Sequence, residues 1–161
     1  MNIGEELWTT VDEYLSNSLL NADPVLDNAL AASAAAGLPS IQVSPCQGRL
    51  LQLLAQLQGA RRILEIGTLG GYSTIWLARA LPPGGRLVTL ELDELHAQVA
   101  QSNIAQAGFS ELVELRVGPA LKTLPELASQ APAPFDLVFI DADKSSTPEY
   151  FQWAPACGGL E

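Results

Sequence analysis

The sequence predicts an α/β fold: one domain in which a parallel sheet carries helices on both faces. Three observations predict it. Four short apolar runs, at 62–66, 86–92, 112–117 and 135–140, alternate with helical patterns at 72–80, 94–107 and 120–129. Each strand-helix-strand unit takes about 25–30 residues, the span of a right-handed crossover between parallel strands. The length of 161 residues suits a single core, since domains most often run to about 100–150 residues.

Ahead of the sheet come three predicted helices. Ile3, Leu7, Val11, Tyr14, Leu15 and Leu19 recur near the helical period and leave Glu5, Glu6, Asp12 and Glu13 to water, which makes an amphipathic helix. Asp23-Pro24 supplies an N-cap oxygen and a proline at the first helical position, and an Ala-rich run follows to Gly37. Ser44-Pro45-Cys46-Gln47 has the form of a capping box, after which Leu50, Leu53, Leu54 and Leu57 line one face up to Gly59. Residues 1–58 are thus N-terminal helices and 61–145 the strand-helix core, with Pro82-Pro83-Gly84-Gly85 and the Pro-rich 131–134 as breaks. Residues 154–161 read as an atypical tail. Trp8, Trp76 and Trp153 are expected in packing, and His96 in solvent.

Composition narrows the function. The chain is 48% hydrophobic and 16% charged, a folded profile, and acidic residues outnumber basic ones 18 to 8 for a net charge of -10. Such a field repels phosphate backbones and anionic membranes, so neither is an expected partner. The start, Met1-Asn2-Ile3-Gly4-Glu5-Glu6, lacks a basic signal region, and 29–37 is too short to span a bilayer; a cytoplasmic protein is expected. Cys46 and Cys157 lie far apart without metal-type spacing and are expected reduced.

Residues able to do chemistry gather at the strand ends. Residues 63–74 run from a strand through Gly67-Thr68-Leu69-Gly70-Gly71 into a helix, a glycine-rich turn that lets a backbone bend tightly beside a ligand. The spacing is not the Gly-x-Gly-x-x-Gly of dinucleotide enzymes, and Glu65 would repel a pyrophosphate while accepting from an ammonium group. Glu91 ends the second strand at about the ~20-residue offset where an acid grips ribose hydroxyls; its other reading is a solvated charge. Val117-Gly118-Pro119-Ala120 leaves room for a flat ring, or is a plain turn. Asp141-Ala142-Asp143-Lys144 masses charge at the end of the fourth strand. There Asp141 suits a hard cation and Lys144 a proton acceptor, against the alternative of a salt-bridged surface loop.

Taken together, Leu-Glu-Ile-Gly-Thr-Leu-Gly-Gly-Tyr-Ser, Thr-Leu-Glu-Leu-Asp, Val-Gly-Pro-Ala and Phe-Ile-Asp-Ala-Asp-Lys resemble the cation-dependent O-methyltransferases, the catechol and caffeoyl-coenzyme A group, and most of all their bacterial members. The likeness runs from about Val43 to about Trp153. It implies a Rossmann-like S-adenosylmethionine-dependent methyltransferase fold and methyl transfer to a hydroxyl of a small acceptor, assisted by a divalent cation such as Mg2+. It further implies that Val43, Gly67, Thr68 and Ser73 hold the methionine end, that Glu65 lines that pocket, and that Glu91 binds the ribose. Ala120 would meet the adenine, Asp143 would lie beside the cofactor, Asp141 would touch cofactor and metal, and Lys144 would be the base.

The family pattern continues through a helix to a fifth strand ending in an Asp-Asn pair, where this sequence reads Ala154-Pro155-Ala156-Cys157-Gly158-Gly159-Leu160-Glu161. A C-terminally truncated chain with an incomplete sheet and an incomplete metal site is the expectation. An open edge on the fourth strand then favours a homo-oligomer formed through it. Two other functions stay open: a non-catalytic module binding S-adenosylmethionine or S-adenosylhomocysteine, and an NAD-dependent oxidoreductase, which the glycine spacing and Glu65 disfavour.

Overall fold

A computed structural model describes residues 3–130 and 134–158. Its elements run α1 (Ile3–Leu19), α2 (Pro24–Ala35), α3 (Pro45–Gln58), β1 (Arg62–Ile66), α4 (Tyr72–Ala78), β2 (Arg86–Glu91), α5 (Glu94–Gln106), β3 (Val113–Val117), α6 (Ala120–Gln130), β4 (Leu137–Ile140) and α7 (Thr147–Gly158). The strands form one parallel sheet in the order β3-β2-β1-β4. This is the α/β architecture expected, with β1 and β2 interior and buried on both faces, hence runs that are apolar except for Glu65 and Thr89 between their ends.

Register brings all four carboxyl ends level: Ile66 lies opposite both Leu90 and Ile140, and Glu91 lies opposite Val117. One cluster, with Leu64, Ile66, Val88, Leu90, Leu124, Leu127, Phe135 and Tyr150, fills one face of the sheet. On the other, Ile63, Leu87 and Leu77 pack with Ala55 and Ala60. A third cluster joins Leu26 and Ala29 of α2 to Tyr72, Ile75 and Trp76 of α4.

The expected caps are present. Asp23 accepts from Leu26 N–H, and Ser44 and Gln47 form the reciprocal box. The fourth strand begins later than its apolar run, at Leu137, because Asp136 has another task. Its Oδ2 accepts the N–H groups of Arg61 and Arg62 at 2.7 and 2.8 Å, pinning the start of β1, while the Arg62 guanidinium covers the Phe135 ring. Beyond β4, α7 continues through Gly158, where a tail from 154 was expected; Tyr150 and Trp153 anchor it on the core. Residues 131–133 of the Pro-rich break and 159–161 lie outside the described residues, as does the side chain of Cys157; Cys46 is a free thiol.

The N-terminal helices differ from expectation in their packing. Trp8 is not a packing residue: it is 74% exposed, and Leu7, Tyr14 and Leu19 of the same stripe also face outward. Leu50, Leu53, Leu54 and Leu57 of α3 do likewise, Leu57 being 84% exposed, because the buried face of that helix is Gly48, Gln52 and Ala55, with Leu51 packed beside it. The reason is closeness: a Cβ at Gly48 would overlap the Trp76 ring, so at that point α3 meets α4 through its smallest residue, and Ala55 meets Leu77 further along. Trp76 and Trp153 do pack as expected.

Candidate functional site

The strand ends open into one cavity of about 980 Å3, at the upper end of the size usual for small-molecule sites. Its wall collects the turn after β1, the ends of β2 and β3, residues 141–144 after β4, the segment 41–43 between α2 and α3, and Tyr150 of α7. Ligand sites of open α/β sheets lie at this edge because strand ends diverge there into loops while helix starts point at the gap.

Gly67 shapes the cavity in a way the motif alone did not reveal. Its φ is +99°, and a Cβ there would overlap the carbonyl of Asp141, whose N–H donates to Ile66 O at 2.8 Å. The glycine therefore admits the end of β4, so that Asp141 arrives beside the turn. Leu69 also sits at positive φ, +50°, a conformation that costs a side-chain-bearing residue about 1–2 kcal/mol.

Glu91 stabilises that turn. Its Oε2 accepts from Thr68 N–H at 3.1 Å and Leu69 N–H at 2.7 Å, and its Oε1 accepts from Leu92 and Asp93 N–H, each at 2.9 Å. It is buried, which sets aside the reading of a solvated charge, and it faces the cavity. His96, expected in solvent, also lines the cavity with Nδ1 3.6 Å from Glu91 Oε1. The signal for it was local: Asp93 caps α5 through Leu95 and His96 N–H, which puts His96 in the first helical turn after an acidic strand end.

Glu65 stands one layer behind the wall. It is 0% exposed and absent from the lining, a correction to the expectation that it faces the ligand. Ser73 Oγ donates to its Oε1 at 2.6 Å, while Thr74 Oγ1 and Thr89 Oγ1 donate to Oε2 at 2.5 and 2.7 Å. Burial pushes its carboxyl up to about 7, against the lowering effect of these three hydroxyls; the charge of Asp141 adds to the rise. Direct contact with the cavity comes through Ser73.

Val43, Gly67, Thr68, Ser73, Glu91, Ala120, Asp141, Asp143 and Lys144 all stand in the wall. Asp143 is committed to structure as well. It accepts from Ser145 Oγ at 2.7 Å, Ser146 N–H at 2.9 Å and Tyr150 OH at 2.7 Å, and hydrogen bonding by Ser146, Tyr150 and Ser145 holds its carboxyl well below the usual range. Asp141 and Lys144 are exposed to the cavity mouth. Sequence reasoning passed over Ile41, Leu121 and Tyr150, apolar or aromatic lining residues that carry no motif.

The profile of the O-methyltransferase family matches residues 16–154. The chain belongs to that family. Catechol O-methyltransferase of Niastella koreensis is 53% identical over 152 residues, covering 94% of this chain and 69% of its own length. Catechol O-methyltransferase of Mycobacterium tuberculosis is 58% identical over 144 residues, 89% of this chain and 64% of its own. Among solved structures, an O-methyltransferase from Bacillus cereus in complex with SAH superposes with a TM-score of 0.92 at 55% identity, covering 95% of this chain and 70% of its own. This family member thus spans about two thirds of the length of such relatives, and its fold is the Rossmann-like one of S-adenosylmethionine-dependent O-methyltransferases.

Among the described residues no group of three or more His, Cys, Asp or Glu side chains is placed to hold a metal ion. Asp141 is the one ligand the resemblance implies here, and Asp143 already accepts from Ser145, Ser146 and Tyr150. The residues described do not by themselves fit a divalent cation, which needs about six oxygen donors.

Proposed function

We propose that this O-methyltransferase family member binds S-adenosylmethionine in the cavity at the strand ends and transfers its methyl group to a hydroxyl of a small, catechol-like or phenolic acceptor. The observation that carries the reading is the shared wall: of the nine cofactor positions expected, all but Glu65 line one cavity. The complex of the Bacillus cereus relative with SAH supports it.

S-adenosylmethionine, when bound, supplies a methyl group on a positively charged sulfur. Val43, Gly67, Thr68 and Ser73 hold its amino-acid end, and Ala120 the ring. Glu91 accepts the ribose hydroxyls, sharing lone pairs now given to Thr68 and Leu69 N–H. Lys144, at the mouth, accepts the proton of the acceptor hydroxyl at Nζ, and alignment of oxygen with methyl carbon provides much of the rate. Ile41, Leu92 and Leu121 give the cavity wall apolar surface.

Calorimetric titration separates the readings. S-adenosylhomocysteine is expected to bind and NAD not to; the reverse result would replace methyl transfer with dinucleotide chemistry. Label transfer from S-adenosylmethionine to catechol distinguishes an enzyme from a binding module. The described residues do not by themselves fit a divalent cation, and repeating the transfer with Mg2+ and with a chelator tests whether one takes part; equal rates would exclude it.

A further inference from the structure

Glu65 is the buried acid that the proposed reaction leaves unused, and one hydroxyl connects it to the cavity. Ser73 lines that cavity and gives its single hydrogen to Glu65 Oε1 at 2.6 Å. Thr89 gives its hydrogen to Glu65 Oε2, so the 2.6 Å contact between Thr68 Oγ1 and Thr89 Oγ1 is donated by Thr68. With Thr74, three hydroxyls aim hydrogens at one carboxylate, the arrangement of an ionised acid. Ser73 then has only lone pairs for a ligand.

An amino acid carries a carboxylate as well as an ammonium group. Resting on the methyl-donor reading, the amino-acid end lies between Gly67 and Ser73. Asp141, held against Gly67, attracts the ammonium and repels the carboxylate, which leaves Ser73 to the carboxylate. Two carboxylates would then flank one oxygen, roughly 5 Å apart, with one hydrogen between them. We propose that seating a ligand carboxylate at Ser73 draws a proton from solvent onto Glu65.

The exchange balances. One buffer proton bonds to Glu65 Oε1, the new O–H donates to Ser73 Oγ, and the Ser73 hydrogen turns to the ligand. Burial already brings Glu65 to about 7, so the proton is available near neutrality. The charge of Asp141, at the end of β4, pushes the same way, while α4 and β2 contribute neutral hydroxyls. Glu91, His96, Asp143 and Lys144 stand elsewhere in the wall. They are unchanged in a Glu65→Gln chain, whose amide donates to Ser73 as the protonated acid would.

The test is calorimetry of the whole chain with S-adenosylhomocysteine at pH 8, with chelator, in two buffers of different ionisation enthalpy. Wild type should take up roughly half a proton or more per ligand, and its Kd should weaken several-fold from pH 7 to pH 9. The analogue bearing the aminopropyl group but no carboxylate should take up none. E65Q should bind S-adenosylhomocysteine with uptake smaller by roughly half a proton or more, leaving only what the ligand's own amino group takes up, and with a shallower pH profile than wild type. Equal uptake with both ligands, equal uptake in both proteins, or binding by wild type without uptake overturns the proposal while leaving the methyl-donor reading intact. Failure of wild type to bind S-adenosylhomocysteine at all overturns both.

Discussion

Replacing Glu65 by Gln removes a charge from a place where it costs the fold. The carboxyl is fully buried, and burial raises it from 4.5 to about 7 although Ser73, Thr74 and Thr89 all donate to it. An acid that holds its proton more tightly when folded stabilises the chain in full below pH 4.5, and that contribution is lost as pH rises through 7. At about 1.36 kcal/mol per pH unit, the span from 4.5 to about 7 corresponds to about 3 kcal/mol. The amide does not titrate, so urea unfolding of both chains between pH 4.5 and pH 8 should show wild type losing about 3 kcal/mol relative to Glu65→Gln. Parallel stability curves would refute the burial argument, and a wild type that gains relative to the variant on going to pH 8 would reverse its sign.

Other perturbations test other parts of the molecule. Gly67→Ala, forced to positive φ with its Cβ against the Asp141 carbonyl, should lose about 2 kcal/mol or more of stability in urea and weaken S-adenosylhomocysteine binding. Asp136→Ala frees the N–H groups of Arg61 and Arg62 and should cost about 1–3 kcal/mol by the same assay, with the cavity unchanged. Lys144→Ala should leave S-adenosylhomocysteine affinity within about twofold while methyl transfer falls by about a hundredfold or more; equal losses in both would make Lys144 a binding residue. The outer edge of β4 has no strand partner among the described residues, and we expect concentration-dependent association through it. A strictly monomeric sedimentation profile at high concentration would count against that.

Periodicity and punctuation made the sheet legible. Caps at Asp23, Ser44 and Asp93 have chemistry of their own, and β1 and β2 are buried on both faces, so their composition reports their environment directly. What escaped was decided by partners remote in sequence. Trp8 follows a helical stripe, yet nothing described lies over it, and the leucines of α3 lost the inner face to Gly48 because Trp76 lies too near for anything larger. At the site, motif spacing located the strand ends but not the depth of each side chain. Glu65 and Glu91 both belong to strands ending at the cavity and share one face of the sheet, but Glu65 lies opposite Thr89, two residues short of Glu91, where Thr74 and Thr89 enclose it. His96 carried no motif; its place follows from the cap set by Asp93.

The four backbone bonds to Glu91 give the cavity a built-in competitor. Any ligand that takes this carboxylate must share it with the amides of Thr68 and Leu69, and Leu69 is held at positive φ. Occupancy and the tension of the loop therefore trade against each other, and the hydrogen-exchange rates of those two amides become a gauge of what fills the site, readable without any turnover.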